Sequence, residues 1–471
     1  MPQSANDTSG ILGLDVHTLK DLEIFESETG DASLFDFCNF TRTRGGAAAL
    51  RRRMERPWSN AGRIRATQAS IRFIDAQPEL FTAVPSAYVS GGAEAYTQEI
   101  LPALDHRSWL DFAFGAFQMW FNHDSHYFSI VRGVQATCRL VQALRAFVAQ
   151  NLASSAGELV PLLQQIRALL SRPKLAEVPD YDVGAWGTWR MLRLDQVLRI
   201  HEKETITRLL GLLYKLDALT SMADATREYG FIMPLVEEGA LRVRAKGLVH
   251  PYLAKPVANP VELNQESRVL FLTGPNMAGK TTYLRALATA LYLAQLGMGV
   301  PARSFCFVPV ERLFSSISLT DDLRRGVSYF RAEALRVKAV ASAVAEGRRV
   351  VALMDEPFKG TNVKDAFDAS LAILERFSGR ENCLLIFSSH QIELNDHLDI
   401  AGGQIDCRYF EAVESSDRLH FDYLLRSGIS EQRLGMRVLR EEGIFELLDG
   451  SPGGHSAGSP TDESRLSAHS S

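Results

Sequence analysis

Apolar positions change their spacing near the middle of the chain. From about residue 11 to 232 they recur at intervals of three and four. "LLQQIRALL" (162–170) and "TITRLLGLLYKLDALTSMADA" (205–225) each align their leucines in one helical stripe. Strand signals are few in this half. From about 233 short apolar runs appear, each closed by a polar residue or a glycine: "RVLFLTG" (268–274), "VVALMDE" (350–356) and "CLLIFSSH" (383–390). Helical patterns lie between them. Strands alternating with helices predict a parallel-rich sheet with helices on its faces. The expected fold class is multidomain, α followed by α/β, and the change falls near 230–240, after "REYGF".

Composition narrows this picture only a little. The chain of 471 residues is 46% apolar, enough to bury real cores over roughly two to four domains. Its net charge of −5 predicts no bulk affinity for nucleic acid, so any DNA contact needs a local basic cluster. The five cysteines are scattered without C-x-x-C spacing, which suits a reduced cytosolic chain. "MPQSANDTSG" lacks the layout of a signal peptide. The longest apolar stretch, "LRALATALYLAQLGMGV", is too short for a membrane span and carries Arg285 and Gln295. A soluble, cytoplasmic protein without membrane contact is expected. Residues 1–10 read as a disordered lead. The Gly/Ser/Pro-rich residues 449–471 read as a tail that cannot repay its ordering entropy.

The chemistry concentrates where the apolar runs end. Residues 274–281 fit G-x-x-x-x-G-K-[ST] between a strand-like run and a helical one, the order a phosphate-binding loop needs. Backbone N–H groups of the loop (Gly274, Asn276, Met277, Ala278, Gly279) and of the helix start would hold α- and β-phosphates, with Pro275, which has no N–H, shaping the loop. Lys280 would reach the β/γ oxygens, and Thr281 would ligate Mg²⁺. "VVALMDE" ends in two acids: Asp355 would hold the metal and Glu356 would orient and polarise an attacking water, which suits hydrolysis. "LLIFSSHQIEL" is a third strand ending in polar residues, so His390 could sense the γ-phosphate at the same crevice. ATP and Mg²⁺ are the expected cofactors.

"TGPNMAGKTTYLRAL", "DDLRRGVSYFRAE", "LMDEPFKGTN" and "SSHQIEL" together resemble, in order and spacing, the MutS family of DNA mismatch-repair ATPases. "HPYLAKPVANPVEL" upstream and "GISEQRLGMRVL" downstream resemble it too, as do "GLDVHTLKDLEIFES", "SLFDFCNFTRTRGGAAALRRRMERPWSN" and "KLDALTSMADATREYGF" in the first half. The resemblance implies a helical core/lever domain over 11–232 and a P-loop ABC-type ATPase domain over 233–448. The latter would end in a helix-turn-helix that dimerises the ATPase domains. It assigns Gly274, Asn276, Gly279, Lys280, Thr281 and Thr282 to ATP and Mg²⁺, Asp355 to the metal, Glu356 to the water and His390 to γ-phosphate coupling. It places Ser328 against the nucleotide of a second subunit, so ATP would tighten a homodimer. The implied function is ATP hydrolysis gating a dimer on DNA, related to mismatch repair and mismatched-DNA binding. Two other readings remain: a binder of branched or recombining DNA, and an ATP-driven scaffold that grips a protein partner instead of DNA.

The chain also departs from the family pattern. No Phe is followed two positions later by Glu, so the mismatch-reading wedge is missing, and the connector domain is expected to be absent. The span 11–232 is short for levers plus a full clamp, so the clamp is expected to be reduced or lost. Pro256 and Val257 stand where an adenine-stacking aromatic is usual. Pro357, Phe358, Lys359, Gly360, Thr361 and Asn362 replace a Gly-x-Gly-Thr-Ser loop, losing one glycine.

Two further stretches bear on partners. Residues 42–65 hold Arg42, Arg44, Arg51, Arg52, Arg53, Arg56, Arg63 and Arg65 against one acid, Glu55. They could neutralise DNA phosphates, with Arg51, Arg52 and Arg53 as the candidates, or form a solvated helix surface. The aromatic-rich stretch 108–128 reads as buried helix packing or as an exposed partner surface.

Overall fold

The computed structural model describes residues 10–27, 30–82, 84–98, 125–184, 186–317, 329–398, 404–415, 418–430, 432, 439 and 444–449. Ser328, most of the aromatic-rich stretch, the lead, the tail and most of 428–439 lie outside the described residues. Residues 1–430 form one compact unit and 431–471 another, in which the helix Ile444–Asp449 is described.

Helices make up the first half. Its axis is Lys203–Glu228, whose leucines and alanines are buried around most of its circumference. Arg44–Met54 and Ala61–Ala76 pack against it. The close approach of the first of these depends on the glycine pair in "RTRGGAAAL". A Cβ at Gly45 would lie 2.2 Å from the Tyr214 ring, and one at Gly46 would lie 2.0 Å from the Asp217 carboxylate. Asp217 in turn accepts from the backbone N–H groups of Arg42 and Thr43 and from the Thr43 hydroxyl at 2.6 Å. Thr43 caps the helix at Gly46 N–H, 2.8 Å away. Removing either glycine would therefore wedge the two helices apart.

After residue 228 the chain turns to strands. We number those that build the main sheet β1 (Val269–Thr273), β2 (Arg312–Ser316), β3 (Val350–Asp355), β4 (Cys383–Ser388), β5 (Ile405–Tyr409) and β6 (Arg426–Ser427). Their order across the six-stranded sheet is β6-β5-β1-β4-β3-β2. Every pairing is parallel except that of the edge strand β6, which is antiparallel to β5. The sheet is thus mixed but parallel-rich. A separate four-stranded sheet formed by residues 235–236, 243–248, 259–263 and 304–307 stands beside it.

Both faces of the main sheet are covered, which is why its strands read as continuous apolar runs. Leu270 and Leu272 of β1, Val351 and Leu353 of β3, and Leu384 and Ile386 of β4 join the core shared with the helical half. Their sequence neighbours Val269, Phe271, Val350, Ala352, Leu385 and Phe387 join a second core on the other face. This is the two-residue period of a strand.

The helix Lys280–Leu296 connects the two halves. It is buried along nearly its whole length, which accounts for the apolar run "LRALATALYLAQL". Gln295, polar within that run, is fully bonded. Its amide donates to the carbonyls of Trp58 (2.8 Å) and Val310 (3.0 Å) and accepts from Val310 N–H. Tyr292 donates to the Met54 carbonyl at 2.6 Å. Among the described residues no helix is long and apolar enough to cross a membrane. The N-terminal segment is also stitched to the sheet. Arg336, buried in the helix Tyr329–Ala345, pairs with Asp15 and donates to Thr18, while Asp21 accepts from Ser315 and Ile317.

Candidate functional site

Strands β1, β4 and β3 are consecutive neighbours, so their C-terminal ends bring Gly274, His390 and Glu356 to one edge of the sheet. In open parallel sheets this edge is where ligands bind. Gly274 leaves β1 at φ 136°, and a Cβ there would lie 2.5 Å from the Phe410 carbonyl oxygen, so only glycine fits. Gly279, at φ 102°, starts the helix Lys280–Leu296, and no side chain caps that terminus. The first-turn N–H groups are left facing the crevice, where the helix dipole favours an anion.

Lys280 is 4% exposed. Its ammonium donates to the carbonyls of Gly274 (2.6 Å) and Pro275 (3.1 Å) and lies 3.5 Å from the Glu356 carboxylate. Burial lowers its pKa, partly offset by Glu356 and Asp355. Asp355 accepts from the Thr281 hydroxyl at 2.6 Å and from Ser388. Glu356 is itself buried and is held by Lys280, Lys359 and His390. Burial alone would raise its pKa, but hydrogen bonds from His390 and Lys359 and the charge of Lys280 outweigh it, taking the carboxyl to about 2.

The backbone at Glu356 is left-handed (φ 47°), as it is at Phe358 (φ 70°). A left-handed turn ordinarily calls for glycine, and at a buried Phe it is strained. The buried Glu333 carboxylate offsets part of that cost by accepting backbone N–H groups of residues 358–360. Phe358 thus holds a left-handed turn where a glycine would carry less strain.

A cavity of about 450 Å³ opens beside these groups. Of the residues singled out from sequence, Val257, Pro275, Asn276, Met277, Gly279, Lys280, Thr281, Thr282 and Glu356 line it. Ala278 is buried behind the loop, while Asp355 and His390 reach the site through Thr281 and Glu356 respectively. The lining also includes His250, Leu253, Lys255, Asn259 and Tyr423, which sequence reasoning missed. Asn259 of the "ANP" run holds the segment bearing Tyr423, donating to the Tyr423 carbonyl (2.9 Å) and accepting from Leu425 N–H (2.8 Å). That pairing spans more than 160 residues, so local spacing carries no signal of it.

His250 gives this wall a pH dependence. Burial, and then the nearby Arg285 guanidinium, lower its pKa to about 4. Arg285 is itself 3.8 Å from Glu23, and the Tyr252 ring stands edge-on to the imidazole. The unfolded chain takes up this proton near pH 6.5 and the folded chain only near 4, so stability is full above 6.5 and falls between the two. Urea unfolding at pH 7 and pH 5 is expected to show about 2 kcal/mol less acid loss in His250→Gln than in the wild type. Equal losses in the two proteins would remove the buried neutral imidazole from the account.

Half of the arginines in the arginine-rich stretch are committed within the fold. Arg53 makes two bonds to Glu158, at 2.8 and 2.9 Å. Arg51 lies 4.4 Å over the Phe25 ring and 3.5 Å from Glu55. Arg42 donates to the Phe81 carbonyl, and Arg65 pairs with Glu238. Of the three candidates for DNA contact, Arg52 alone is exposed and without an ion-pair partner among the described residues.

Comparison with known proteins places part of the chain. Residues 270–447 match the family model of MutS domain V. The chain is 29% identical over 287 residues to the DNA mismatch repair protein MutS of Natronomonas pharaonis, an alignment covering 59% of this chain and 33% of that protein. The chain thus spans about a third of the length of the curated relative it matches. With the mixed sheet and the cluster at its edge already in place, these matches identify residues 270–447 as a MutS domain V and make the chain similar to MutS proteins.

Proposed function

We propose that this chain binds and hydrolyses ATP and that it works as a nucleotide-gated dimer on DNA, in a role related to mismatch repair. The observation that carries the reading is the junction of three strand ends, where the Gly274–Gly279 loop, the Thr281–Asp355 pair and the Lys280–Glu356–His390 cluster meet beside one cavity. Backbone N–H groups of the loop and helix start hold the α- and β-phosphates. Lys280 exchanges its carbonyl partners for β- and γ-oxygens. The Thr281 hydroxyl and Asp355 carboxylate are hard oxygen donors 2.6 Å apart, a set that fits Mg²⁺ when phosphates and water supply its other ligands. Held by Thr281 and Asp355, Mg²⁺ would supply the positive charge that offsets charge developing on the phosphoryl oxygens. Glu356 orients and polarises the attacking water, and His390 links that carboxylate to the γ-phosphate. Tyr423 and Leu253 supply the apolar wall for the base, in place of the aromatic missing at Pro256 and Val257. Ser328 of a second copy would complete the site, so nucleotide would tighten a homodimer.

The way the arginines are used supports a second reading. With Arg53 on Glu158, Arg51 on Phe25, Arg42 on the Phe81 carbonyl and Arg65 on Glu238, half of the eight arginines already have partners within the fold. This leaves room for an ATP-driven scaffold that grips a protein, and for a binder of branched DNA that does not read mismatches. The test combines Mg²⁺-dependent ATP turnover with binding to perfect, mismatched and four-way-branched duplexes at one fixed salt concentration. Turnover together with preference for one DNA structure is expected. Absence of turnover at any protein concentration would overturn the proposal, and turnover without DNA binding would transfer it to the scaffold reading.

A further inference from the structure

A second cavity, of about 540 Å³, lies in the helical half between the helices Arg44–Met54, Leu159–Leu170 and Lys203–Glu228. Its volume is that of a small-molecule site. The floor is apolar, with Ala49, Leu162, Leu212, Ala218, Leu219 and Met222. The mouth is cationic: Arg52, Arg56, Arg63 and Lys215 line it and are all exposed. Glu158 is the one acid in the lining, and its carboxylate is already taken by Arg53 and Thr67. Arg52, Arg56 and Lys215 have no ion-pair partner among the described residues.

The wall at the mouth is set in place before any ligand arrives. Two guanidinium groups approach the Trp58 ring, Arg53 at 4.7 Å and Arg63 at 4.8 Å from its centre. Its backbone is bonded on both sides to Gln295, through Trp58 N–H to the Gln295 carbonyl and the Gln295 amide to the Trp58 carbonyl. The preceding turn is held by Tyr292 at Met54. Groups fixed in this way lose little freedom on binding, which favours affinity. The cavity offers its ligand leucines below and several unpaired cations above.

We infer that this cavity is a binding site for a small amphiphilic anion, a molecule with an apolar body and one or more phosphate, sulfonate or carboxylate groups. The charges at the mouth draw the anionic end, and the leucine floor takes the body. This site is separate from the nucleotide crevice and does not depend on ATP hydrolysis.

The test uses anilinonaphthalene sulfonate as probe on the full chain, read by fluorescence titration at 50 and 500 mM salt. The variant Arg52→Glu/Lys215→Glu reverses the mouth at exposed positions. Lys174→Glu/Lys203→Glu makes the same charge change at exposed positions outside the cavity. The wild type and the outside variant are expected to bind alike, with affinity falling at high salt. The mouth variant should bind at least tenfold more weakly. Equal binding by all three proteins, or none by the wild type, overturns the inference. Displacement of the probe by a short DNA duplex, with DNA binding lost in the mouth variant, would also overturn it, because the mouth would then be a nucleic-acid contact.

Discussion

Glu356→Gln is expected to bind nucleotide as tightly as the wild type, or more tightly, while its turnover falls about 10²- to 10⁴-fold. That range is what removal of a positioned base ordinarily costs. The binding side of the expectation comes from the empty site. There the Glu356 carboxylate lies 3.5 Å from Lys280, the cation that the γ-phosphate must recruit. Protein and ligand compete for one ammonium, and an amide competes less well than a carboxylate. The catalytic side comes from the carboxyl itself. With a pKa of about 2 it is ionised at any assay pH, but it is a weak base while Lys280, Lys359 and His390 all hold it. Once a phosphate engages Lys280, part of that stabilisation is withdrawn and the carboxylate becomes the stronger base the water needs. Gln retains the side-chain volume but has no charge to lend. Single-turnover hydrolysis and nucleotide titration on the same preparation check both halves. Turnover within threefold of the wild type would move the base elsewhere.

The backbone cost of this arrangement points the same way. Glu356 sits at φ 47° and Phe358 at φ 70°, each of order 1–3 kcal/mol above an ordinary conformation. Strain of that kind persists only where the surroundings hold it. Here the holders are Ser388, whose hydroxyl and carbonyl accept from Glu356 N–H, and Glu333 beneath residues 358–360. A turn so constrained aims the carboxylate across the crevice toward Lys280 instead of letting it continue the strand.

The groups legible in the sequence are those whose geometry is local. Each apolar run that becomes β1, β3 or β4 ends in its functional residue, so the periodicity that marks the strand also marks Gly274, Glu356 and His390 as strand-end residues. The adjacency of those three ends is not in any one run. It depends on β4 inserting between β1 and β3, a choice of strand order made by two long crossovers. The rest was illegible for a related reason. Tyr423 reaches the cavity through Asn259, far upstream, and Glu333 supports a loop more than twenty residues later. The arginine run was illegible for the same reason: of its eight cations in 24 positions, Arg53, Arg51, Arg65 and Arg42 are taken by Glu158, Phe25, Glu238 and the Phe81 carbonyl, partners that lie outside the run. Charge counted along a segment says little until the acids that fold against it are known.

Lys280→Met is expected to weaken nucleotide binding by at least a hundredfold without lowering the melting temperature of the empty protein. The two effects have opposite sign because Lys280 is held against its own solvation. Burial is the dominant influence on its pKa and pushes it below that of a free lysine, even with Glu356 and Asp355 nearby. A base whose pKa is depressed by folding is charged at a cost to the folded state, and methionine of similar length removes that cost. Glu356 retains Lys359 and His390 as partners, so its charge is not stranded. Two carbonyls, at Gly274 and Pro275, lose a donor, which limits the gain. Nucleotide binding has no such compensation, since Lys280 is the only buried cation lining the crevice among the described residues. Thermal melts with and without Mg²⁺-ATP separate the terms: the wild type should rise on adding nucleotide, and the variant should start no lower and fail to rise. A variant that melts well below the wild type would make Lys280 a structural cation. One that still rises with ATP would show that backbone N–H groups hold the phosphates without it.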